Sequence, residues 1–155
     1  MTHELIHFLR TRYDEEEQAA LTAATLCGCH PPAPAWSFRD GDGPTDGRIL
    51  VVDDPHPGQK RKIGRRWNGS FEGLYMAEHI VRHDPSHVLR EIEAKRQLLD
   101  EHQDVNDGSC GTCVDGQWGY PTHGGSSPQR FPCRTLRLLA LPYAHRPGYR
   151  EEWRP

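Results

Sequence analysis

No stretch of this chain approaches the ~20 consecutive apolar residues that a membrane-spanning helix needs. Hydrophobic residues fill only 35% of 155 positions and aromatics 8%, against roughly 45–50% apolar for an average globular domain. A core of that size is thin, and a fold built on it gains from a covalent or metal cross-link. Charge of one sign is scarce too. The formal net charge of −3 excludes a surface made basic throughout for nucleic acid. There is no glycine-rich phosphate loop and no GxSxG nucleophile elbow. The amino terminus, MTHELIHFLRTRYDEEE, threads charges through its apolar residues and has no small-residue cleavage site, unlike a secretory signal. These absences point to a cytoplasmic protein with no membrane partner and no evident small-molecule substrate.

Glycine and proline, by contrast, are plentiful: fifteen and thirteen residues, about 18% of the chain, where roughly 12% is usual. Much of the chain therefore reads as loop within a single domain spanning residues 1–155. Leu5, Ile6, Leu9 and Tyr13 mark one apolar stripe of a first helix over residues 3–25, with Thr2 as its cap and Asp14 to Glu17 as a solvated face. The paired prolines after Cys27-Gly28-Cys29-His30 end the N-terminal segment. Residues 33–75 have no helical period. Short strands are expected at 35–38, 48–54 and 70–76, forming a small antiparallel sheet.

The clearest helical signal runs from 76 to 102. A short helix reaches His83. Asp84 then caps a second one with Pro85 at its first position, and Val88, Leu89, Ile92, Lys95 and Leu99 form its inward stripe. Residues 103–133 read as a loop. Residues 135–144 read as a last helix, capped by Thr135, with one more turn expected from Pro147. The fold class is α+β, with three main helices and a minor sheet, stapled by one zinc.

The staple is read from DEHQDVNDGSCGTCVDG (100–116). Cys110 and Cys113 form a CxxC, Cys133 lies just before the last helix, and His102 ends the long central helix. His102–x7–Cys110–x2–Cys113–x19–Cys133 matches the four soft or borderline ligands of a tetrahedral Zn2+ site. Five cysteines in a reducing compartment argue against a disulfide framework. A redox CxxC normally opens a helix, whereas turn residues follow this one. An iron–sulfur cluster would need Cys27 or Cys29 as its fourth ligand. His123 ranks second to His102 for the fourth position.

Three further clusters carry weaker signals. Cys27, Cys29 and His30, with His56, form a second metal candidate, but C-x-C is the poorer zinc turn. His79, His83 and His87 follow a helical repeat, and a hydrolase would use His79 and His83 with Glu78 or Asp84. The Asp84-Pro85 break is expected to re-aim His87. Lys60, Arg61, Lys62, Arg65 and Arg66 beside Trp67 suit a phosphate backbone and a stacked base, or a solvated hairpin.

Two longer stretches, HIVRHDPSHVLREIEAKRQLLDEH (79–102) and PCRTLRLLALPYAHRPGYREEWRP (132–155), together with ELIHFLRTRYDEEEQAA (4–20), resemble a family of short actinobacterial proteins, domain of unknown function 6221. The family's usual ending, ADHPDY, is here AHRPGY (144–149). His145 replaces an aspartate and Arg146 a histidine, which removes the expectation of a role for a C-terminal histidine. The resemblance implies no activity. From the residues, the favoured function is a non-enzymatic binding or adaptor module with an unidentified protein partner. A nucleic-acid-associated regulator comes second and a metal-dependent hydrolase third.

Overall fold

The computed structural model describes residues 2–25, 32–39, 48–51, 62–65, 71–105, 108–114 and 127–155. Its elements are helix α1 (Thr2–Ala24), strands β1 (Trp36–Arg39), β2 (Arg48–Val51) and β3 (Lys62–Arg65), helices α2 (Phe71–Arg82) and α3 (Pro85–Glu101), strands β4 (Asp104–Val105), β5 (Ser109–Val114) and β6 (Pro128–Arg130), and helix α4 (Arg134–Ala140). Two 3-10 turns follow, Leu141–Tyr143 and Glu151–Trp153. The strands form two antiparallel three-stranded sheets, β1-β2-β3 and β4-β5-β6. The class is α+β, as its pattern predicts. Among the described residues no helix is long and apolar enough to cross a membrane.

Two compact units are distinguished: Met1–Asp14 with Glu93–Pro155, and Glu15–Ile92. The first unit buries Leu5, Leu9 and Tyr13 of α1, Leu99 of α3, and Leu136 and Ala140 of α4. Leu5, Leu9 and Tyr13 sit at i, i+4 and i+8, so one face of α1 supplies three of the fully buried side chains. Phe8, which the stripe omitted, is also buried and packs edge-on to Tyr143 and Tyr149 and against Trp153. Lys95 lies 5.8 Å from the Tyr13 ring, its stem covering apolar surface while its charge reaches solvent. Asp14 and Arg96 pair at 2.7 Å, an exposed contact that stabilises by at most about 1 kcal/mol.

In the second unit Asp84 is the pivot. Its Oδ1 accepts the His87 amide at 2.8 Å, the cap that its place before Pro85 predicts. Its Oδ2 accepts the Trp36 amide at 2.9 Å, and Ser86 N–H donates to the Pro34 carbonyl at 3.0 Å. One buried carboxylate thus starts α3 and anchors the strand entering the sheet.

Several expectations give way. Residues 70–76 do not form a strand; from Phe71 they belong to α2, where Ala77 is buried and Tyr75, Met76 and Ile80 are exposed, a helical pattern. The third strand is instead β3, inside the basic stretch. The segment 103–133 is not only loop, since β4, β5 and β6 lie in it. Thr135 does not cap α4: Cys133 holds that position and Thr135 lies one residue into the helix. The closing turn begins at Glu151, not Pro147.

Asp84→Ala removes the cap and the bond to Trp36 together. Stability measured by urea denaturation is expected to fall by about 2–3 kcal/mol, from a cap loss near 1 kcal/mol and a buried amide left unsatisfied. Asp84→Asn, which keeps one acceptor, should recover about half of that.

Candidate metal centre

His102 extends the last turn of α3, its amide bonded to the Leu98 carbonyl at 3.2 Å. The chain then turns into β4 and the hairpin to β5. Gly108, at φ 101°, makes the tight return, and its amide donates to Asp104 Oδ1 at 2.9 Å. Pairing of Asp104 with Cys110 and of Val105 with Ser109 sets the first cysteine beside the helix end.

A regular strand points residues three apart to opposite faces. Cys110 and Cys113 escape this because β5 bulges between them. Ser109 pairs with Arg130 and Val114 with Pro128, so five steps on β5 oppose two on β6. The Gly111 amide bonds the Gln103 carbonyl at 3.0 Å. A Cβ at Gly111 would lie 3.3 Å from Val105 Cγ1, so the smallest residue suits the bulge. Cys113 N–H donates to Cys110 Sγ at 3.4 Å. Cys133 arrives from β6 as the first residue outside α4.

The four predicted ligands therefore converge. His102, Cys110, Cys113 and Cys133 each offer one atom, all within 4.8 Å of one another. His102 Nδ1 is 3.5 Å from Cys110 Sγ, 3.4 Å from Cys113 Sγ and 3.5 Å from Cys133 Sγ. A single ring nitrogen carries either one proton or one in-plane lone pair, so hydrogen bonding does not account for three equal contacts. A tetrahedral ion does. Zn–S near 2.3 Å and Zn–N near 2.05 Å give S···N edges of about 3.6 Å. The three thiols are free of disulfides, and Cys110, Cys133 and His102 are buried. His102 also lines a cavity of about 190 Å³ with Asp104 and Gln103.

The protonation states are split. Burial pushes the Cys110 thiol up, but the Cys113 and Thr112 amides, His102 and Cys133 outweigh it and bring it down to about 7. Burial pushes Cys133 up to about 11. The Leu136 amide opposes this without closing a cap bond, and the neighbouring Cys110 and Cys113 reinforce it. Cys110 is thus poised to hold a thiolate easily, and Cys133 only against a cation.

The family model for DUF6221, described as a family of unknown function, matches residues 2–155. The chain belongs to this family. No curated protein and no solved structure matches it.

In this member of DUF6221 the other candidates fare differently. His79 and His83 stack with ring centres 4.5 Å apart, and His83 meets His87 edge-on at 5.4 Å. The Asp84-Pro85 break does not re-aim His87 away from the row, because α3 starts within one turn of where α2 ends. Among the described residues only the Cys/His set brings three or more ligands within reach of one ion, so the hydrolase pair has no third ligand beside it. Cys27, Cys29, His30, His56 and His123 lie outside the described residues, as do Lys60, Arg61, Arg66 and Trp67. Lys62 and Arg65 begin and end β3.

Zinc affinity is expected to rise about tenfold per pH unit or more between pH 7 and 9, because Cys133, at about 11, loses a proton when the ion enters. Below pH 7 the slope should steepen as Cys110 joins. Competition with a chromophoric chelator from pH 6 to 9 measures this, and a flat profile would exclude thiolate ligation.

Proposed function

We propose that this protein is a small non-enzymatic binding or adaptor module whose single Zn2+, held by His102, Cys110, Cys113 and Cys133, is structural. The three sulfurs at 3.4–3.5 Å from one imidazole nitrogen carry this reading. Four protein ligands complete a tetrahedron and leave no position for a reacting water. Such a site ties the end of α3, the β4–β5 hairpin and the start of α4 to one ion. The reading belongs in the cytoplasm, where thiols stay reduced and available to a metal.

The purified protein should carry one zinc per chain. Its removal by a chelator should lower the melting temperature by about 10 °C or more, from the loss of roughly 4 kcal/mol of linked binding energy. Cobalt in its place should give the absorption of a tetrahedral sulfur-rich site, unchanged by azide. Metal-free protein with an unaltered melt would refute the staple. A cobalt spectrum that azide perturbs would mean an open, catalytic site.

A second reading, a nucleic-acid-associated regulator, gains support from the register of the first sheet. Arg39 pairs with Arg48, and Arg48 with Arg65. Three arginine positions thus fall in one register across the three strands. Residues 36–67 carry seven Lys and Arg against five Asp in a chain that is acidic as a whole. On this reading a single-stranded oligonucleotide is retained at low salt, and Arg48→Gln with Arg65→Gln lowers the slope of log K against log salt by about 1.4. Unchanged binding by the double variant would remove the sheet from consideration.

A further inference from the structure

The first unit holds a second feature that the zinc reading leaves unused. Between the first turns of α1 and residues 147–153 lies an open groove of about 540 Å³, within the ~300–1,000 Å³ range of small-molecule sites. Its floor is aromatic. Phe8 and Trp153 are 7% and 4% exposed, with ring centres 5.2 Å apart.

Its rim is cationic. The Arg12 guanidinium lies 5.4 Å from the Phe8 ring centre, and that of Arg150 lies 5.8 Å from the Trp153 ring. His3 and His7 add two exposed imidazoles one helical turn apart. The one acid in the lining, Glu4, is bonded by Arg150 at 2.6 Å, and Arg150 also faces Glu152, outside the lining, at 3.6 Å. The rim thus carries two guanidiniums against one carboxylate of its own, in a chain whose net charge is −3.

The backbone keeps the groove open. Gly148 sits at φ 89°, where a side chain is strained. A Cβ there would rest 3.7 Å from Phe8 Cδ2, on the floor itself.

An aromatic floor favours a flat, weakly hydrated ring. Guanidiniums braced on aromatic faces are permanent cations with their donors arranged in a planar fork, suited to a carboxylate or a phosphate. We propose that this groove binds a small molecule joining a flat aromatic ring to one anionic group, of about the size of a mononucleotide. Its volume suits one such molecule, where a protein or nucleic-acid partner would need a surface several times larger. Ring and anion act together, so neither half binds well alone.

The test titrates full-length zinc-loaded 15N-labelled protein with adenosine 5′-monophosphate and with 2-naphthoate. Inorganic phosphate and adenosine serve as half-ligands. The expected result is saturable shifts of the Gly148 and Arg150 amides and the Trp153 indole N–H, with Kd at or below about 1 mM for at least one probe. The half-ligands should bind about tenfold more weakly or worse. Tighter binding of the nucleotide assigns a phosphate, and tighter binding of the naphthoate a carboxylate. Arg12→Gln should weaken binding about tenfold. His7→Glu, at an exposed position that leaves the fold intact, should do the same by adding a carboxylate that repels the anion, and it decides the matter if the arginine variant does not fold. The proposal fails if neither probe saturates below about 10 mM, if the shifts map elsewhere, or if His7→Glu binds as the unaltered protein does. It fails equally if a single-stranded oligonucleotide shifts these same resonances at lower concentration than the mononucleotide.

Discussion

Three thiols and an imidazole crowded into a buried space cannot all be satisfied by one another. The imidazole nitrogen offers one bond to three sulfurs that stand 3.4–3.5 Å away. If more than one sulfur ionises, burial and mutual repulsion oppose it, as the high value for Cys133 records. If all stay protonated, weak donors face one another without acceptors. A divalent cation resolves the conflict by taking the place of the protons, and the amides of Thr112 and Cys113 that favour a thiolate at Cys110 then support a bound metal. Binding free energy of an ion to folded ligands is folding free energy, and on the proposed reading it would act at the junctions between α3, β5 and α4, adding to the burial of Leu99 and Leu136.

The bulge in β5 is the local device that makes the exchange possible. Without it Cys110 and Cys113 would face opposite sides of the sheet, and the CxxC spacing that works in a turn would fail in a strand. Three extra residues on β5 turn the second sulfur back toward the first. Gly108 and Gly111 serve the same end, one by adopting a positive φ and the other by leaving space beside Val105. In the same unit, Phe8, Tyr143, Tyr149 and Trp153 form a tilted and edge-on aromatic cluster. A bound ion and the aromatics would stabilise this unit by different physics, one through strong bonds between few atoms and the other through area removed from water.

What the sequence made legible was local or chemically specific. The stripe Leu5, Ile6, Leu9, Tyr13 and the pair Asp84-Pro85 encode their helices within one or two turns; both helices appear as read, with Leu5, Leu9 and Tyr13 buried and Ile6 only partly so. The ligand set was legible because few residue types bind zinc and their spacing is restrictive. The rest fails for physical reasons. Residues 70–76 offer too few apolar positions to separate a strand's alternation from a helix's period. Strands β4 and β6, at two and three residues, are too short to show any period at all; their place is set by pairing with β5 and by the hairpin turn. Phe8 escaped because its burial depends on a tail about 140 residues away, which no local pattern reports. Thr135 looked like a cap because threonine is the better cap by side chain, yet the position falls to Cys133, whose sulfur is committed to the ligand set.

That commitment bears on function. A cysteine at a helix N-terminus with a free sulfur is a candidate nucleophile, since the helix amides favour its thiolate. In this chain burial overrides the amide and raises Cys133 to about 11, so at neutral pH its sulfur is a poor nucleophile and becomes a thiolate only when a cation arrives. A thiol of that kind suits the structural role proposed for the site. If, on the proposed reading, the ion and its four ligands are occupied in holding helix ends together, recognition would rest on surfaces the ion does not use: the basic stretch 60–67 or the cationic aromatic groove beside α1. These differ in what they can read. A basic stretch answers to the charge of a polyanion, while a groove with an aromatic floor and a charged rim answers to the shape of one molecule.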